Sequence, residues 1–81
     1  MKRGMAVEIF PRITADPEIR FGKPCIRGTR ICVSDILDML AGGASRPEIL
    51  DDFPSLRDED ITAALGYSAK VLEHKIAFAA E

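Results

Sequence analysis

The sequence has no apolar run approaching the ~20 residues that a membrane span needs, so none is expected. Its opening, MKRGMAVEIF, carries two cations but no long apolar stretch, and no secretion signal is expected either. Cysteine is scarce, with Cys25 and Cys32 the only two. Without a secretion signal they are expected as free thiols in a reducing cytoplasm. Seven residues apart and without other soft ligands, they argue against a zinc site. If a hairpin forms between them, they approach each other across it as an incidental redox pair.

Other chemistries are missing too. His74 is the only histidine, and beside Leu72, Glu73 and Lys75 it reads as a solvent-facing helix residue. Gly22-Lys23 lacks the earlier glycine of a phosphate-binding loop, where Pro17 stands instead. Pro24 replaces the Ser or Thr that would hold magnesium. The acidic run DDFPSLRDED lacks the alternating ligands and glycine of a calcium loop. There is no internal repeat and no low-complexity segment. No enzymatic activity, cofactor or metal is expected.

What is present is an 81-residue chain, 47% hydrophobic and 30% charged, the mix of one small globular domain. A chain this short buries a modest core, so oligomerisation or a tight partner is expected. The net charge of −2 hides a split: residues 1–30 carry +4 and residues 31–81 carry −6. The basic half is the candidate for contact with nucleic acid or an acidic partner.

Branched residues in VEIF and RIT suggest two short strands, with Pro11 stopping the first. Asp16-Pro17 signals a turn. CI and RIC flank Arg27-Gly28-Thr29 as a small hairpin, and Pro24 keeps any sheet small. Ser34 is the expected N-cap of a first helix whose apolar face is Ile36, Leu37, Leu40 and Ala41, ended by Gly42-Gly43. Ser45 and Glu48 form a capping box, with Pro47 tolerated in the first turn. Ile49, Leu50 and Phe53 face inward from that second helix, and Pro54 stops it. The third helix starts near Asp58, where Asp58, Glu59 and Asp60 suit the helix dipole, and runs into the seventies. The fold class expected is mainly α: a three-helix, homeodomain-like helix-turn-helix core preceded by short strands or a small hairpin.

The blocks GKPCIRGTRI and EILDDFPSLRDEDI resemble the DUF433 family of small bacterial and archaeal proteins, over about Arg12 to Ala69. The resemblance implies the homeodomain-like fold. It also implies an antitoxin paired with a PIN-like nuclease toxin in a type II toxin–antitoxin module. Two positions depart from the family pattern: Cys32 stands where proline is usual, and Arg57 where Thr or Ser is usual. Arg57 cannot accept from helix amides, which leaves Ser55 to cap or the first turn looser. On this division residues 1–11 are an arm, 12–69 the DUF433-like domain, and 70–81 a helical extension.

The acidic first turn of the third helix is a poor probe for phosphates. If the chain binds operator DNA, the contacts expected are Arg12, Arg20, Lys23, Arg27 and Arg30, with Lys2 and Arg3 in the arm, presented by a homodimer. The competing reading pairs Arg27 and Arg30 with Asp35, Asp38 or other helix carboxylates. The third helix carries a second apolar stripe beyond the needs of a three-helix core, so Tyr67, Val71, Leu72, Ile76 and Phe78 are the expected partner-binding residues. Alternatives to the antitoxin role are a stand-alone helix-turn-helix regulator and a homodimeric scaffold.

Overall fold

A computed structural model describes residues 6–79, with side chains for residues 6–73. Lys2 and Arg3 lie outside the described residues, and the side chains of His74, Ile76 and Phe78 lie outside the described side chains. The described chain runs β1 (Val7–Phe10), β2 (Ile13–Ala15), a 3-10 turn (Arg20–Gly22), β3 (Cys25–Ile26), α1 (Val33–Ala41), α2 (Arg46–Asp52) and α3 (Asp58–Ala79).

The expectation of a mainly helical fold is corrected. The three helices are present, but the strands form one antiparallel sheet in the order β1-β2-β3, making the fold mixed α and β. β3 pairs with β2, Ile13 opposite Ile26 and Thr14 opposite Cys25. The small hairpin expected at CI/RIC is reduced to one bridge between Cys25 and Cys32. Strands of four, three and two residues leave little pattern to read, and β3 joins the sheet only by pairing with a segment about a dozen residues away.

Pro11 does more than stop a strand. It is followed by Arg12 at φ 73°, the order of a type II turn, and Phe10 then pairs with Ile13. Arg12 occupies a position that usually takes glycine, and two contacts hold it there. Its carbonyl accepts from the Arg27 amide at 2.8 Å, and its Nε donates to Asp60 Oδ1 at 2.8 Å.

The core is built from one buried isoleucine from each of five elements: Ile13 of β2, Ile26 of β3, Ile36 of α1, Ile49 of α2 and Ile61 of α3. Each such side chain contributes roughly 1.5–3 kcal/mol by leaving water. Val33, Leu56, Ala63 and Ala64 complete the cluster, and Leu37, Leu40, Leu50, Phe53 and Tyr67 pack around it. Phe10 crosses from β1 to α3. Its ring meets Tyr67 edge-on at 5.8 Å and sits over Gly66, where an added Cβ would come within 3.3 Å of it.

The caps are local and follow from local sequence, with one correction. Ser45 and Glu48 form the capping box of α2: Glu48 Oε1 accepts from the Ser45 amide at 2.8 Å, and Ser45 Oγ from the Glu48 amide at 3.2 Å. α1 begins two residues earlier than an N-cap at Ser34 would place it. Its N-cap is Cys32, whose amide donates to Asp35 Oδ2 at 2.9 Å, and Ser34 is exposed inside the first turn. At the start of α3 the Asp60 carboxylate reaches back to accept from the Arg57 amide at 2.9 Å, the one half of a capping box that does not need an acceptor on the Arg57 side chain.

Candidate interaction surfaces

The five cations expected to contact DNA divide into two groups. Arg12 and Arg20 are committed to the fold. Arg12 is bound to Asp60, a carboxylate only 9% exposed. Arg20 Nη1 donates to Asp35 Oδ2 at 3.0 Å and to the Arg30 carbonyl at 2.9 Å. Burial pushes the Asp35 carboxyl up, but hydrogen bonds from Arg20 and the Cys32 amide outweigh it and hold the carboxyl below its ordinary range. Arg27 reaches Glu8 at 3.0 Å with both side chains about half exposed, a pair that solvent screens. Among the described residues no carboxylate pairs with Lys23 or Arg30.

The pairing of Arg27 and Arg30 with α1 carboxylates is therefore not what forms. Arg20 takes Asp35, and Arg27 takes Glu8.

Arg20 holds an unusual turn. Arg20, Phe21 and Gly22 have φ of 50°, 60° and 82°, three successive residues in the left-handed region. Two of them carry a Cβ, so the turn is strained by a few kcal/mol. The Asp16 carbonyl and carboxylate, which accept from the Ile19 and Glu18 amides, fix the approach to it. The consequence is that Phe21 projects into solvent, 95% exposed, between Arg20 and Lys23. Sequence reasoning missed Phe21. The only signal is one aromatic inside a glycine-containing basic turn.

Lys23 also borders a second surface. Pro24, Val33 and Leu37 form one wall of an open apolar groove of about 500 Å³, and Tyr67, Val71 and Leu72 form the other. Tyr67 is half-buried against the core, whereas Val71 and Leu72 are 39% and 58% exposed. The groove thus brings three of the expected partner-binding residues together. The side chains of the other two, Ile76 and Phe78, are outside those described.

Cys25 and Cys32 are both buried and unbonded, their sulfurs 3.5 Å apart, as the hairpin expectation implied. Burial, reinforced by the hydrogen bond with Cys32, pushes the Cys25 thiol up to about 11. Among the described residues no three His, Cys, Asp or Glu side chains converge on a metal position, and no helix is long and apolar enough to cross a membrane.

The model of the family described as "Protein of unknown function (DUF433)" matches residues 13–68. The chain is 39% identical over 56 residues to the uncharacterized protein y4eO of Sinorhizobium fredii (strain NBRC 101917 / NGR234), a match covering 69% of this chain and 25% of that protein. It therefore spans about a quarter of the length of that relative. The structure is similar to the crystal structure of a DUF433 member protein from Anabaena variabilis, with a TM-score of 0.73 and 31% identity, covering 86% of this chain and 69% of that one.

Proposed function

The chain belongs to the DUF433 family, and on that premise we propose that it is an antitoxin: a non-enzymatic, cytoplasmic protein that binds and silences a PIN-like ribonuclease. The observation that carries the reading is the apolar groove, one wall of which is the exposed continuation of α3 through Val71 and Leu72. Apolar side chains presented at helical spacing are the anchors of helix-in-groove recognition, and exposed apolar surface of this kind marks an interaction site. The identity of the partner as a nuclease comes from the family resemblance.

Autorepression of the operon is the second half of the reading. Of the five candidates, Lys23 and Arg30, with Arg27 only loosely paired, are the cations available for phosphates, and Phe21, two residues before Lys23 in the chain, is an exposed aromatic. Arg12 and Arg20 leave the contact set, because their charges are already engaged.

Co-expression with the neighbouring gene product tests the first half. A nuclease-like protein that co-purifies with the native chain and is lost with Val71→Asp plus Leu72→Asp supports it. A neighbour that neither co-purifies nor is toxic alone overturns it. For the second half, a gel shift on the upstream DNA through a salt series should show Lys23→Ala, Arg27→Ala and Arg30→Ala together reducing the salt slope by about 2–3. Binding by the chain alone, without a partner, favours the stand-alone regulator. A tight dimer by light scattering with no DNA shift favours the scaffold.

A further inference from the structure

The bridge between β3 and α1 has a consequence for its two thiols. The Val33 amide donates to the Pro24 carbonyl and the Ile26 amide to the Ile31 carbonyl, each at 2.9 Å. Those two bonds flank Cys25 and Cys32 on either side, which makes the cysteines a non-hydrogen-bonded antiparallel pair. Such pairs are the closely spaced ones, with Cα atoms about 4.5 Å apart and both Cβ atoms on one face. That separation lies inside the range a disulfide spans. The sulfurs already point at each other at 3.5 Å.

We infer that Cys25 and Cys32 are an oxidation site, a thiol pair that closes to an intramolecular disulfide and ties β3 to the N-terminus of α1. The inference is independent of the antitoxin reading. Packing alone would ask only for two small apolar side chains. Backbone register and side-chain direction together supply what covalent closure needs.

The oxidant is of the disulfide class, with glutathione disulfide as the probe. Cys25 is the entry point, because it lines a cavity of about 170 Å³ beside Lys23 and Arg27, whereas Cys32 is fully buried. The Cys25 thiolate attacks one sulfur of the probe and releases one glutathione. The Cys32 thiolate then attacks Cys25 Sγ and releases the second. One protein sulfur–sulfur bond forms, two thiol protons are lost, and two electrons reduce the probe to two thiols. The high thiol pKa of Cys25 keeps this slow at neutral pH.

The closed bond encircles Ile26–Ile31, the turn that carries Arg27 and Arg30. A loop this short still constrains the unfolded chain, so Tm should rise by roughly 10 °C on oxidation. The test incubates the native protein with glutathione disulfide at pH 8 and counts thiols. The expected result is the loss of both thiols, a monomer lighter by two hydrogens, a higher Tm that reverts with dithiothreitol, and no Tm response in Cys32→Ala. Tryptic cleavage after Arg27 and Arg30 should leave the two cysteine peptides joined until reduced. The rate should rise about tenfold per pH unit between pH 7 and 9. Two titratable thiols persisting in the folded protein overturn the inference. So does a stable glutathione adduct on Cys25, or a disulfide-linked dimer.

Discussion

From Asp58 to Tyr67, α3 is held by the rest of the molecule, whereas from Ala69 to Glu73 every side chain is exposed. The first part buries Asp60, Ile61, Ala63 and Ala64. The second offers Val71 and Leu72 to the groove. The backbone is one continuous helix, so helix propensity does not separate the two parts. What separates them is what lies opposite. The first part faces β2, α1 and α2 and is anchored by Arg12 and Arg46, and the second has outrun the core. An apolar residue in the first part therefore stabilises the fold, and one in the second is available to a partner.

The largest expected effect comes from testing this directly. Ile61→Ala removes a fully buried side chain from the centre of the core and should cost about 2–5 kcal/mol, enough to unfold much of a domain this small. Leu72→Ala, at 58% exposure, should change stability by less than ~0.5 kcal/mol. Urea titrations of both variants check the contrast. Equal losses would show that the far end of α3 is held as firmly as the near end.

Next comes the anchor. Asp60→Ala removes the partner of both Arg12 Nε and the Arg57 amide and should cost about 1.5–3 kcal/mol. Arg12→Gly should cost less, because relief of the φ 73° turn offsets part of the lost pair. Chemical denaturation of the two variants and their double mutant separates the ion pair from the backbone strain.

A smaller effect concerns pH. The Arg46 hydrogen bond holds the Asp58 carboxyl below its ordinary 3.8. The folded chain therefore binds fewer protons at this site than the unfolded one, and stability rises with pH there. This contribution is complete above the unfolded value and is lost as pH falls through the lower, folded one. Urea midpoints measured between pH 5 and 2.5 should fall with acid, and Asp58→Asn should flatten that slope. Leu72→Ala should leave it unchanged.

The smallest effect lies at the boundary between the two parts. Gly66→Ala favours the helix by about 1 kcal/mol, but its Cβ meets the Phe10 ring at 3.3 Å. The two should nearly cancel, with a thermal shift of only a few degrees. Pairing Gly66→Ala with Phe10→Leu should expose the helical gain.

Legibility in the sequence follows the range of the interactions. The Ser45–Glu48 box spans three residues and can be read directly. The start of α3 at Asp58 and the stop at Gly42-Gly43 are equally local. The N-cap of α1 is local too, yet hydroxyl preference points to Ser34, while the bridge from Cys25 places Cys32 at that position. The charge pairs are harder. Arg12 and Asp60 are 48 residues apart, and nothing in composition distinguishes Arg20 as the partner of Asp35 from Arg27 or Arg30. Leu65 stands four residues after the buried Ile61, at apolar helical spacing, but is 41% exposed, while the sheet approaches α3 through Phe10 at Gly66 and Tyr67.

The sequence by itself determined the three helices, the capping box of α2, the stops, the segments able to form strands, and the split between a basic front and an acidic body. These depend on neighbours within a few residues, where side-chain type dictates backbone geometry. Only the tertiary structure decided that the short strands join into one sheet, and that two of the five candidate cations are spent inside the fold. It also decided that the Phe21 ring is pushed into solvent, whereas the approach of the two cysteines was already implied by their seven-residue separation across a turn. The β2–β3 pairing and the ion pairs depend on which distant residues meet, and the Phe21 turn on backbone angles that residue type does not dictate; only the packed chain determines these.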